Sequence, residues 1–190
     1  MSLVEKAILF ATSAHAGVTR KGKTRAYILH PLEAMTIVGG MTDDEELLAA
    51  AVLHDTIEDT AVTLGDLERE FGSRVAAIVA SESEDKRRES APAETWQARK
   101  QETIDHLQNA NRDVKLICLG DKLANLRELV RDYSELGDNL WVRFNQKDKA
   151  MHGWYYSSVY RILENEFGDV PAMDEYKKLL VQVFGEEILR

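Results

Sequence analysis

Histidine and carboxylate residues recur in this sequence at positions from which they could share one cation. The run His54-Asp55-Thr56-Ile57-Glu58-Asp59-Thr60 sets an imidazole beside a carboxylate and places two more carboxylates four residues on. If a helix carries through the run, Glu58 stacks near His54 and Asp59 near Asp55, because residues four apart share a helix face. His54 and Asp55 would then ligate a metal, while Glu58 and Asp59 would orient or deprotonate a water beside it. The plainer alternative is a helix end with solvated acids. Against it stands the preceding apolar stretch, Leu47 to Leu53, which reads as a buried helix. An imidazole and a carboxylate at the end of such a helix need partners, and a cation is an efficient one.

Two further residues complete the set. His30 precedes Pro31 in Tyr27-Ile28-Leu29-His30-Pro31, and Asp121 interrupts the apolar pattern LICLGDKLANLR. A lone histidine is more often a hydrogen-bonding core residue than a ligand. An aspartate among buried leucines, however, must be paired with a base or a metal. Together the four offer two imidazoles and two carboxylates, a mixed N/O set that suits manganese, iron or zinc better than calcium or a thiolate-bound ion. The one cysteine, Cys118, reads as a core residue. His15, His106 and His152 have no ligand spacing; of these His15 is the one expected behind the site.

The elements that must carry these residues are helical throughout. Val4, Ala7, Ile8, Ala11 and Ala14 recur at helical spacing, which predicts a helix over 2–16 closed by Gly17, then a basic loop to Leu29. A second helix spans about 31–39, with Pro31 in its first turn and His30 just before it. Thr42 or Asp43 caps a third, leading to His54-Asp55. Thr63 and Asp66 form a capping box with a shortened acid for TLGDLEREF, which Gly72 stops. A helix from Ser73 to about Ala80 follows, then a polar loop over 81–93 containing Pro92. Further helices are predicted over 94–109, 112–131, 145–166 and 172–184, the last two joined by GDVP. Alternating β-branched segments are missing, so the fold class is all-α, and 190 residues most simply make one domain, 1–190.

One motif is a decoy. Gly17-Val-Thr-Arg-Lys-Gly22-Lys23-Thr24 fits the phosphate-cradling loop G-x-x-x-x-G-K-[ST]. That loop needs a buried strand before it and a helix beginning at its lysine. The residues before Gly17 have helical period, and a helix from Lys23 would meet Pro31 in its interior at about 3 kcal/mol.

The chain carries 24 basic and 33 acidic residues, a formal net charge of −9, which argues against long nucleic acids. The charge is uneven. No acid lies between Lys6 and Glu33, where Arg20, Lys21, Lys23 and Arg25 cluster, whereas ten acids and one base, Arg69, lie between Asp43 and Glu70. These are two solvated surfaces, or the anion grip and metal cage of one site. No apolar run approaches the 18 or so residues of a membrane span, and Glu5 and Lys6 break the first apolar pattern, against a signal peptide. The single cysteine excludes an internal disulfide framework and points to a reducing, cytoplasmic setting.

The fuller set of motifs, AHAGVTRKGKTRAYILHP, AAAVLHDTIEDT with VTLGDLEREFG, and VKLICLGDKLANLR, resembles the HD-domain metal-dependent phosphohydrolases. Within them it is similar to the hydrolase domain of the RelA/SpoT homologues, which degrade ppGpp and pppGpp. With no synthetase or regulatory domain expected, the likeness is to the small stand-alone alarmone hydrolases. The resemblance implies that His30, His54, Asp55 and Asp121 hold manganese and that Glu58 and Asp59 activate water. It implies that Arg20 and Lys21 flank the nucleotide, that Asn125 contacts the nucleoside, and that the reaction releases pyrophosphate from the 3′ position. Lys86, with Arg87, Arg88, Arg99 and Lys100 about the polar loop, is expected to close over the pyrophosphate; a solvated charged loop is the alternative. The partner implied is a small nucleotide, not a nucleic acid or a membrane. The same site acting on an adenosine alarmone or on the 2′-phosphate of NADPH stays open. A non-catalytic binding module should have lost a ligand or the Glu-Asp pair, and this chain keeps both.

Overall fold

The computed structural model describes residues 1–84, 87, 89 and 91–190. Its contacts divide the chain into two compact units, Met1–Glu84 with Asn111–Ala124, and Asp85–Ala110 with Asn125–Arg190. Among the described residues the secondary structure is helical apart from an isolated antiparallel bridge between Thr19 and Ala26, as the all-α reading expects.

In the first unit, α1 (Leu3–Ala14) starts at a reciprocal cap between Ser2 and Glu5 and buries Ala7 and Ala11. α2 (Leu29–Gly39) begins two residues earlier than the pattern suggested, because Ile28 is already helical; His30 therefore lies inside the helix, ahead of Pro31. α3 (Glu45–Leu53), capped by Asp44, is the central element. Leu47 and Ala49 through Leu53 are all buried, as a helix apolar on every side must be, and α1, α2 and α6 pack on it. α4 (Thr56–Asp59) is a single turn. α5 (Leu64–Phe71) opens on the expected Thr63–Asp66 box, and Gly72, at φ 86°, swings the chain straight into α6 (Ser73–Glu82). A side chain at Gly72 would strain that turn.

α8 (Arg112–Leu136) supplies its residues through Ala124 to this unit and the remainder to the second. Its approach to α2 depends on Gly120: a Cβ there would lie 2.7 Å from Val38 Cγ2 and 2.9 Å from the Ala34 carbonyl oxygen. Since the carbonyl cannot step aside, Gly120→Ala should destabilise the protein by about 1–3 kcal/mol. Thermal unfolding should show a drop of several degrees, at roughly 2–4 °C per kcal/mol for a chain of this size. An unchanged unfolding temperature would show that α2 and α8 do not meet this closely.

The second unit contains α7 (Pro92–Asn109), α9 (Lys149–Phe167), α10 (Pro171–Phe184) and short 3₁₀ turns at Gly137–Arg143 and Glu186–Leu189. The polar loop is thus shorter than 81–93: α6 runs on to Glu82, and Pro92 takes the first position of α7, where its missing N–H has no helical partner to lose. Trp96, Trp141 and Tyr155 are core residues of this unit, the rings of Trp96 and Tyr155 meeting edge to face. Arg127 grips Glu175 bidentately at 2.7 and 2.8 Å. No helix among the described residues is long and apolar enough to cross a membrane.

Candidate metal centre

The first unit brings His30, His54, Asp55 and Asp121 to one point. His30 sits in the first turn of α2, His54 caps the C-terminus of α3, Asp55 lies between α3 and α4, and Asp121 is on α8. His30 Nε2 is 3.0 Å from Asp121 Oδ1 and 3.6 Å from Asp55 Oδ2. His54 Nε2 is 3.1 Å from Asp55 Oδ2 and 3.6 Å from Asp121 Oδ1. Donors each about 2.1 Å from one ion, at tetrahedral or octahedral angles, sit roughly 3.0–3.5 Å apart. Ligand atoms of His30, His54 and Asp121 all lie within 4.8 Å of one another, close enough to share one ion, and Asp55 Oδ2 stands beside both imidazoles, with two of the four separations slightly wider than that range.

Tautomer and charge point the same way. His54 Nδ1 donates to the Ala51 carbonyl oxygen at 2.8 Å, which leaves Nε2 as the lone-pair nitrogen of the neutral ring. Nε2 is buried and, among the described residues, makes no properly directed hydrogen bond. Burial works to lower the His54 pKa, yet Asp55 and Asp121 outweigh it and raise it well above the ordinary imidazole value. The same imidazoles overcome burial to hold the Asp55 carboxyl below its usual range, and Lys122 leads the groups that do so for Asp121. A cluster that draws in positive charge this strongly suits a divalent cation. Lys122, absent from the sequence expectations, bonds Asp121 Oδ2 and leaves Oδ1 to face the two imidazoles.

The HDTIEDT segment is not one continuous helix. α3 stops at Leu53, and Asp55, at φ −92° and ψ −3°, redirects the chain before α4. No Gly or Pro marks the break; the convergence of the four donors is what it serves. α4 still keeps one turn of register, with Asp59 N–H on the Asp55 carbonyl at 2.9 Å. Glu58 and Asp59 consequently diverge in their partners. Glu58 Oε2 accepts from the Glu84 backbone N–H at 3.1 Å, whereas Asp59 Oδ2 lies 2.9 Å from the Tyr27 hydroxyl, which also reaches Asp55 Oδ2 at 2.6 Å.

The loop between α1 and α2 is no phosphate-cradling turn: neither strand nor helix flanks it as that motif requires. It folds back on itself through Arg20 N–H to the Arg25 carbonyl and Tyr27 N–H to the Val18 carbonyl, each 2.9 Å. Arg20 is thereby laid over the Tyr27 ring, its guanidinium carbon 5.3 Å from the centroid, while Lys21 is exposed near the tip. Asn125 is on α8, four residues beyond Asp121, at the first residue of the second unit's portion. Lys86 and Arg88 fall outside the described residues. Of their basic neighbours, Arg87 bonds Glu102, Arg99 is buried and bonds Thr95 Oγ1 at 3.2 Å, and Lys100 lies over the Tyr155 ring.

Glu82 also escaped the sequence reasoning. Burial pushes its carboxyl up to about 7, with Lys122 opposing and the Asp121 and Asp55 carboxylates adding to the rise. A signal for it exists in the sequence: Glu82 continues the α6 line of Val75, Ile78 and Val79, a buried face. His15 is buried, its ring 4.9 Å from that of Tyr27, which places it behind the centre. His106 is exposed, and His152 Nε2 bonds the Gln146 carbonyl oxygen at 3.0 Å.

The family model described as HD domain matches residues 7–148. The chain is 38% identical over 125 residues to guanosine-3′,5′-bis(diphosphate) 3′-pyrophosphohydrolase MESH1 of Danio rerio, covering 64% of this chain and 66% of that one. It is 38% identical over 134 residues to MESH1 of Xenopus tropicalis, covering 68% and 71%. It thus spans about two thirds of the length of these relatives. Among solved structures, a metazoan orthologue of SpoT that hydrolyses ppGpp superposes with a TM-score of 0.77 at 25% identity over 97% of both chains.

Proposed function

The chain belongs to the HD-domain family, and on that premise we propose that it is a manganese-dependent 3′-pyrophosphohydrolase of ppGpp and pppGpp. The observation that carries this reading is the clustering of His30, His54 and Asp121 within reach of one cation, with Asp55 beside both imidazoles and Asp59 tied to Asp55 through Tyr27. The named activity of the relatives supports the choice of substrate.

A divalent cation held by the four residues supplies a water of lowered pKa and neutralises phosphoryl charge. The remaining chemistry falls to the chain's own side chains. Glu58 and Asp59 orient the water and accept its proton as its oxygen attacks the phosphorus joined to O3′. The P–O3′ bond breaks, the proton is delivered to the departing O3′, and the products are GDP or GTP and pyrophosphate. Arg20 stacks on the guanine and Lys21 meets phosphate charge, which raises the rate by positioning; Asn125 contacts the nucleoside and Lys86 the pyrophosphate. We place the protein in the cytoplasm, where a buried reduced Cys118 is at home.

The test is a panel of ppGpp, pppGpp, ppApp and NADPH with purified protein and Mn²⁺, reading pyrophosphate and orthophosphate separately. Pyrophosphate from ppGpp and pppGpp is the expected result. Orthophosphate from NADPH alone, or pyrophosphate from ppApp alone, would overturn the guanosine assignment.

A further inference from the structure

Tyr27 lies where the metal centre, the water-activating pair and the basic loop meet. Its hydroxyl is 2.6 Å from Asp55 Oδ2 and 2.9 Å from Asp59 Oδ2, and its ring lies beneath the Arg20 guanidinium. Behind the ring is His15, buried at 2% exposure. Among the described residues neither ring nitrogen of His15 has a hydrogen-bond partner, so the imidazole packs on Tyr27 as a flat surface and does not tether it.

From this geometry we infer that Tyr27 is a positioning residue of the hydrolytic reaction, holding Asp59 against the metal ligand Asp55 with its hydroxyl and carrying Arg20 on its ring. The inference rests on the function proposed above. A phenol has a single proton and stands within reach of two carboxylate oxygens, so the bridge fixes the distance between a ligand and a base that belong to different turns. Without it, Asp59 on the one-turn α4 would lose its tie to Asp55, and α4 is too short to be stable on its own. The ring acts separately from the hydroxyl, because a cation over an aromatic face is held electrostatically whether or not the ring bears an O–H. The two contributions are therefore separable by substitution.

Tyr27→Phe keeps the ring and removes the bridge. It should lower kcat at saturating Mn²⁺ at least tenfold, leave KM within about twofold, and weaken Mn²⁺ binding about tenfold, as loss of a partner to a ligand does. Tyr27→Leu removes the ring as well and should raise KM in addition. Because Tyr27 acts through Asp59, Tyr27→Phe added to Asp59→Asn should lower kcat little further, which a general loss of packing would not reproduce. Should Tyr27→Phe fail to fold, 3-fluorotyrosine placed at position 27 retains the shape and strengthens the donor; it should change Mn²⁺ affinity measured by calorimetry. Wild-type kcat and Mn²⁺ affinity in the Phe protein, additive losses in the double mutant, or wild-type Mn²⁺ affinity with fluorotyrosine would each overturn the inference. If the wild-type protein releases no pyrophosphate from any alarmone, the function fails, while the Mn²⁺ affinities still decide whether Tyr27 supports Asp55.

Discussion

Asp121→Asn is expected to weaken Mn²⁺ binding at least a hundredfold and to reduce pyrophosphate release by about a thousandfold or more while the helical fold survives. The amide fills the same space, so helicity and cooperative unfolding should persist in circular dichroism. What changes is the donor. Asp121 Oδ1 stands 3.0 Å from His30 Nε2 and 3.6 Å from His54 Nε2, between the two imidazoles, and Lys122 holds the other oxygen. An uncharged amide in that place takes one anion from beside Lys122 and gives the cation one negative charge fewer in a buried site, where charge is poorly screened. Stripping metal from the wild-type protein should abolish turnover to the same degree, with Mn²⁺ restoring it. Affinity should also fall as pH falls. Without metal the His54 pKa is raised well above its ordinary value, and the cation must displace that proton; lowering the pH favours the proton. Full activity after complete metal removal, or metal affinity that rises on acidification, would refute the metal-centred reading.

The parts of this site legible in the sequence are those whose chemistry is unusual for their position. An aspartate in the apolar run of α8 and a His-Asp pair ending the apolar α3 stand out because burial without partners is costly there. The Thr63–Asp66 cap is legible because its partners are three residues apart in the chain. What escapes is set by tertiary geometry. Nothing in HDTIEDT breaks a helix, so periodicity carries the helix past Leu53, and only the meeting of α2, α3 and α8 around the donors turns the chain at Asp55. Tyr27 is visible as a residue but not as a bridge, since its hydroxyl finds Asp55 and Asp59 only once the basic loop has folded back through Arg20 and Arg25. Lys122 is easily passed over beside Asp121 because adjacent helical residues do not normally face one another, and here the length of the lysine lets it curl back. The start of α7 is missed by two residues because a proline closing a polar stretch reads as loop, although Pro also suits the first turn of a helix.

Replacing Glu58 and Asp59 together by alanine should abolish turnover, a fall of about 10²–10⁴ as expected for removal of a positioned base, with Mn²⁺ still bound. The fold should tolerate the change because both side chains are only partly buried and neither is among the four converging donors. The singles should differ, since their partners differ. Asp59 shares Tyr27 with Asp55, so Asp59→Asn should act almost wholly on kcat. Glu58 holds the Glu84 backbone N–H at 3.1 Å, just where α6 ends, so Glu58→Gln should lower kcat less and raise KM through the segment it anchors. Calorimetry with Mn²⁺ separates these effects from metal loss: all three proteins should bind the ion within a few-fold of wild type. Substantial pyrophosphate release by the double mutant would mean that water is activated elsewhere. An untried carboxyl is then Glu82, raised to about 7 by burial and influenced by Asp121, Asp55 and His54, and Glu82→Gln in the double-mutant background would decide whether it had taken over.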